Sequence, residues 1–91
     1  MLNSVCVVGS LMDVDLNEPK IRYLKVERVF SKFKESVEID VIPICNWNKQ
    51  EKGEIFSFAN KSLVVIRGRL ETLGQRIVIV VETITYLGLK Y

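Results

Sequence analysis

Apolar residues along the chain gather into five β-rich runs separated by polar breaks. Leu2 to Val14 is rich in Val and Leu, with Gly9 in its middle. A glycine inside a strand pattern predicts a bulge or a sharp coil of the sheet. Asn17-Glu18-Pro19 reads as a turn. Lys20 to Phe30 is the second strand candidate: Leu24 and Val26 point one way, and Tyr23, Lys25 and Glu27 the other. Ser31 to Ser36 is polar and basic, as in a hairpin loop. Val37 to Trp47 is β-branched along most of its length and predicts a third strand.

The pattern then changes. Between Asn48 and Lys61 the only β-branched residue is Ile55, and Ile55, Phe56, Phe58 and Ala59 predict one face of a short helix. Gly53 weakens that helix. Ser62 to Leu70 is a fourth strand, Leu73-Gly74-Gln75 a tight turn, and Arg76 to Tyr86 a fifth strand. Three strands, a short helix and two strands in one domain spanning residues 1–91 is the layout of an all-β, five-stranded OB-fold barrel. An SH3-like barrel is the structural rival, and it usually lacks the intervening helix. Gly9 and Gly68 are read as permitting tight strand coiling.

Composition narrows the function classes. With 48% apolar and 26% charged residues, the chain is a globular mixture and not a disordered one. No apolar run is long enough to span a membrane, and the start Met1-Leu2-Asn3-Ser4 lacks the basic and apolar regions of a secretory signal. The expected location is the cytoplasm. Cys6 and Cys45 each lie in a strand-like apolar stretch and are expected to be small buried residues rather than a disulfide. Two thiols without a histidine make a poor metal site, and the missing histidine removes the commonest general base. No catalytic triad can be assembled, so no enzyme activity, metal or cofactor is expected.

Net charge is only +2, but it is unevenly spread. Residues 1–19 sum to −3, residues 20–34 to +5, residues 35–60 to −3 and residues 61–76 to +3. If the fold joins the two basic blocks, a cationic face appears on a nearly neutral chain.

Three blocks of residues resemble the bacterial single-stranded DNA-binding proteins. They are Met1-Leu2-Asn3-x-Val5-x-Val7-Val8-Gly9-x-Leu11, then Asp40-x-Ile42 followed by Trp47, then Lys61-Ser62-Leu63-Val64-x-Ile66-x-Gly68-Arg69-Leu70-x-Thr72. They fall in the family's order and span nearly the whole chain. The resemblance implies an OB-fold, a homodimer (formed largely by first strands) or homotetramer, and sequence-tolerant binding of single-stranded DNA. The departures matter too. The chain stops at Tyr91, where family members continue into a tail with an acidic, enzyme-recruiting tip. Leu73-Gly74-Gln75 nearly deletes a loop that usually carries an aromatic, Val41 stands where an aromatic is often found, and Lys61 replaces a usual glycine. A smaller site and weaker binding are expected.

A single strand is gripped by rings that stack on bases and by cations that hold phosphates. Trp47 and Phe30 match DNA-contacting aromatics of the family, and core packing is the alternative for Trp47. Arg28, Lys32, Phe33 and Lys34 surround Phe30, and Lys49 follows Trp47. Phe33 is equally suited to packing on a neighbouring subunit, and the lysines to solvation. Arg69 and Arg76 flank the shortened loop and complete the expected binding set. Arg67 shares the parity of Arg69, while Arg22, Tyr23 and Lys25 stay unassigned. Phe56 and Phe58 are expected to pack on the core, and Tyr86 and Tyr91 to pack or lie near an interface. The acidic cluster Glu35, Glu38 and Asp40 is expected to be solvated or paired across strands. Two other readings stay open: a primosomal replication-restart adaptor that binds both DNA and replication proteins, and an OB barrel used for protein assembly alone.

Overall fold

The structure, a computed structural model, describes residues 3–28, 38–48 and 53–89. Five strands and one helical turn follow in the expected order: β1 (Val5–Leu11), β2 (Arg22–Glu27), β3 (Ile39–Asn46), α1 (Glu54–Ser57), β4 (Ser62–Leu73) and β5 (Arg76–Leu89). The first two strands are shorter than their apolar runs, and the last two are longer. β1 ends at Leu11; the Met12 N–H still donates to the Tyr23 carbonyl at 2.9 Å, while the Met12 carbonyl accepts from Arg22 Nε at 3.0 Å.

The sheet closes in the order β1-β2-β3-β5-β4. All neighbours are antiparallel except β3 and β5, which run parallel with Ile44 opposite Ile79. β1 serves two partners: Val5 to Ser10 pair with β4, and Ser10 and Leu11 pair with β2. This closed five-stranded barrel, with α1 between β3 and β4, is an OB-fold. The helix and the closing β1–β4 ladder set aside the SH3-like alternative.

Closure brings backbones too close for side chains at two glycines. A Cβ on Gly9 would lie 2.7 Å from the Lys25 carbonyl oxygen, where β1 crosses from β4 to β2. A Cβ on Gly68 would lie 2.0 Å from the Val80 carbonyl oxygen. The β4–β5 ladder slips between Arg67 and Gly68 at this point, and the sheet coils there.

Leu11, Leu24, Ile44, Val64, Ile66, Ile79 and Val81 fill the barrel, and Ile55 of α1 plugs one end. Each such buried aliphatic contributes roughly 1.5–3 kcal/mol. One turn of helix is unstable alone, so α1 depends on Ile55 and on Arg22 for its position. Arg22 Nη1 donates to the carbonyls of Ile55 and Phe58, both at 2.7 Å. Phe56 and Phe58 pack against the core as expected, whereas Ala59 lies beyond the helix and is exposed.

Two expectations are corrected. Cys6 is exposed and only Cys45 is buried, and the two form no disulfide. Cys6 has the outward parity of β1, and that parity is not covered here. Arg22, counted in the first basic block, is 1% exposed and leaves the surface altogether. It shares the inward parity of Leu24, so its guanidinium enters the barrel end and burial lowers its pKa.

Candidate nucleic-acid interface

Alternation sorts the site residues. On β2 and β3, Leu24, Ile42 and Ile44 face the barrel, so Tyr23, Lys25, Val41, Pro43, Cys45 and, just past the strand, Trp47 share the outer face. The outer face continues across β5 and β4: Cys45 lies beside Val80, and Val80 is opposite Arg69. Ile21, Cys45, Val78 and Val80 form a second buried cluster beneath this surface, with Tyr23 and Leu73 packed against it.

Trp47 stands at the rim of this face with 70% of its surface exposed. It is not a core residue. β3 ends one residue earlier, at Asn46, so the ring projects from the first turn after the strand. Val41 is also half exposed, and it offers an aliphatic surface where a ring would stack better.

The fold does bring the two basic blocks together. Arg76, from the second block, donates from Nη1 to the Tyr23 hydroxyl of the first at 3.0 Å, and its guanidinium lies 6.0 Å from the centre of that ring. Arg69 lies further along the same outer face. Both cations are already engaged. Arg76 Nη2 contacts Glu18 Oε1 at 2.6 Å, and the Tyr23 hydroxyl donates to the other Glu18 oxygen. Arg69 Nε contacts Glu71 at 2.5 Å, and its Nη1 lies 3.6 Å from Glu82. The bonds from Tyr23 and Arg76 lower the Glu18 pKa, and Tyr23 and Glu18 together raise that of Arg76.

Arg28 is placed differently. It shares the inward parity of Leu24 and Val26, beyond the end of the barrel, and so lies on the opposite side of the β2–β3 hairpin from Lys25 and Val41. There it forms a fork on Asp40, at 2.9 and 2.8 Å, and a further bond to Glu38. Glu38 and Asp40 thus pair across strands as expected. These carboxylates push the Arg28 pKa up, and Arg28 holds Asp40 below its ordinary value. Phe30, Lys32, Phe33, Lys34, Glu35, Lys49 and Tyr91 lie outside the described residues. Tyr86 packs parallel to Phe58, with ring centres 5.9 Å apart.

A cleft of about 680 Å³ opens where β1 leaves β2, walled in part by Asp13, Asp15, Glu27, Lys25 and Lys61. Its mixed charge gives no continuous cationic track for a phosphate chain. Sequence reasoning missed Glu18, Glu71 and Glu82 as parts of the interface. Glu18 is 58 residues from Arg76, so no local pattern links the two. Arg22 did carry a signal, its parity with Leu24.

These features define a small OB barrel with an exposed ring and acid-paired arginines on one outer face. Among solved structures, the chain is similar to a small single-stranded DNA binding protein from Mycoplasma pneumoniae, at 18% identity and a TM-score of 0.59 over 93% of both chains. It is also similar to the dimeric N-terminal domain of the PriB protein from Thermoanaerobacter tencongensis, at 18% identity and a TM-score of 0.53 over 93% of this chain and 96% of that one. No protein-family model and no curated protein matches the chain. These likenesses establish the fold, and it is the fold implied by the three sequence blocks.

Proposed function

We propose that this protein binds single-stranded DNA without sequence preference, laying the strand across the outer face of β2, β3, β5 and β4. The observation that carries this reading is Trp47, 70% exposed on a sheet face that also holds Arg69 and Arg76. An exposed indole beside arginines suits base stacking with phosphate contact, and neither needs a particular base. Phe30, Phe33, Lys32, Lys34 and Lys49 are proposed as further contacts with the strand. The two structural neighbours, one described as a single-stranded DNA binding protein, support it. No chemistry is assigned to the site, and the role fits replication or repair in the cytoplasm.

The test is titration of Trp47 fluorescence with oligo(dT) and oligo(rU) at two salt concentrations, with Trp47→Ala assayed by mobility shift. Each stacked base contributes about 1–3 kcal/mol, so the variant should bind about 5- to 160-fold more weakly while folding normally. Unchanged affinity in Trp47→Ala would remove the ring from the site. Absence of any shift with the wild type at low salt would leave the assembly-module reading in its place.

A homodimer through β1 belongs to the same proposal. Cys6 and Val8 are exposed on the outward side of β1, next to Arg67 and Val65 of β4, and Val8 is 51% exposed. Val8→Asp should shift the light-scattering mass from dimer to monomer. The likeness to the PriB domain, whose structure is described as dimeric, supports the homodimer, and the primosomal reading adds replication proteins as partners.

A further inference from the structure

Both outer-face arginines nominated for phosphate contact, Arg69 and Arg76, are occupied by carboxylates of the same chain. We propose that Glu18 and Glu71, assisted by Glu82, act as intramolecular phosphate surrogates: they hold these arginines in place and must be displaced by an incoming strand, so they limit affinity. The inference rests on the strand-binding reading above.

Three observations carry it. The first is geometry. Glu18 presents both oxygens, one to Arg76 Nη2 at 2.6 Å and one to the Tyr23 hydroxyl. This anchors the β1–β2 loop to the start of β5. A carboxylate held by a guanidinium through short, charge-assisted bonds occupies the place a phosphate oxygen would take. Glu71 does the same to Arg69 at 2.5 Å.

The second is exposure. The Arg76 and Arg69 side chains are both 42% exposed, and Glu18 and Glu71 are 32% and 26% exposed. Such pairs are solvent-screened and weak, so a polyanion can exchange for the carboxylate without unfolding anything. The third is placement. Glu82 and Trp47 line the same small pocket, and Glu82 also reaches Arg69 at 3.6 Å. A strand stacked on Trp47 therefore meets a carboxylate as well as the cation it pairs with.

The consequence is that binding exchanges one anion for another. Fewer counterions are released per arginine than a bare cation would release, so the salt dependence should be shallow. Removing the carboxylate charge while keeping its size should strengthen binding, the reverse of what most surface substitutions near a binding face do.

The experiment compares wild type, Glu18→Gln, Glu71→Gln, Glu82→Gln and the Glu18→Gln/Glu71→Gln double variant in titrations with oligo(dT) across a salt series. Asp13→Asn is the control, since it changes net charge equally at an exposed acid that pairs with no arginine of the outer face. Circular dichroism confirms that each variant folds. Glu18→Gln and Glu71→Gln should each tighten low-salt binding about 3- to 10-fold, and the slope of log affinity against log salt should steepen by about 0.7 per freed arginine. The double variant should show both increments, Glu82→Gln a smaller gain, and Asp13→Asn a change under about twofold. If the glutamine variants gain no more than Asp13→Asn, net charge alone explains the effect and the surrogate role is overturned. If they bind more weakly than wild type, the carboxylates serve to order the arginines and the proposal is likewise overturned. In both cases wild type still binds and the strand-binding reading stands. If neither wild type nor any variant binds at low salt, that reading falls and takes this inference with it.

Discussion

Arg22 is the residue whose replacement should damage the fold most for its position on a strand. Its side chain is buried and donates three hydrogen bonds, to Met12 after β1 and to Ile55 and Phe58 at α1. Replacement by Ala removes these bonds and the packing of the stem. An unmade hydrogen bond on a buried group costs about 1–3 kcal/mol. Met12 is 37% exposed, so its carbonyl is the best placed of the three to regain water, and the full sum is not expected. Relief of the guanidinium's own desolvation offsets part of the rest. The net loss for Arg22→Ala should be about 3–5 kcal/mol, a large share of the stability of a domain this size. At about 4–8 °C per kcal/mol, the melting temperature should fall by more than about 10 °C. Arg22→Met keeps the stem and loses the donors, so it should fall between wild type and Arg22→Ala. Urea unfolding followed by far-ultraviolet circular dichroism is the assay, because Trp47 is too exposed in the folded state to report unfolding well. An Arg22→Ala midpoint corresponding to less than about 1 kcal/mol of loss would refute the reasoning, since the three carbonyls would then be satisfied without the guanidinium.

Three further outcomes follow from the backbone and the ion pairs. Gly68→Ala forces a methyl onto the Val80 carbonyl oxygen, 2.0 Å away, and should destabilise by about 2–4 kcal/mol in urea; a neutral result would mean that β4 and β5 separate easily at the ladder slip. Lys61 has φ of 68°, in the left-handed region, which costs a non-glycine residue about 1–2 kcal/mol. Lys61→Gly should therefore match or exceed wild-type stability by up to about 1 kcal/mol after the extra unfolded-state entropy of glycine, and a clear loss would contradict this. On acidification, Asp40 and Glu18 have folded pKa values below their ordinary ones, Asp40 through its bonds from Arg28 and Glu18 through those from Tyr23 and Arg76. Their contribution is fully present above the unfolded carboxylate range near pH 4–4.5 and is lost as pH falls through the lowered folded values, so a melting series should decline below about pH 4.5 and decline less in a Glu18→Gln/Asp40→Asn variant.

Much of the architecture was legible in the chain. Period-two alternation and β-branched runs located all five strands, and the break in that pattern after Trp47 located α1, because a half-buried strand must alternate its side chains. Gly9 and Gly68 marked the places where closure presses backbones together. Lys61, at a position where the resembled family usually has glycine, proved to be left-handed. The strand ends were less legible: β1 stops where Arg22 captures the Met12 carbonyl, a contact between residues ten apart. Cys6 was misjudged because local composition does not say which faces of a barrel stay uncovered.

The candidate site divides in the same way. Trp47 and the arginines were visible as residue types in a suggestive order, since ring and cation chemistry belongs to the side chain itself. Whether the cations are free was not visible. Glu18 meets Arg76 only because the β1–β2 loop and the start of β5 reach the same end of the outer face. Arg28 faces away from Lys25 only because one residue along a strand reverses the side. Sequence alone therefore determined the strands, the ring and the charges, which depend on neighbours along the chain. The tertiary structure decided which charges meet, because an ion pair depends on distance in space, and barrel closure joins residues that the chain keeps far apart.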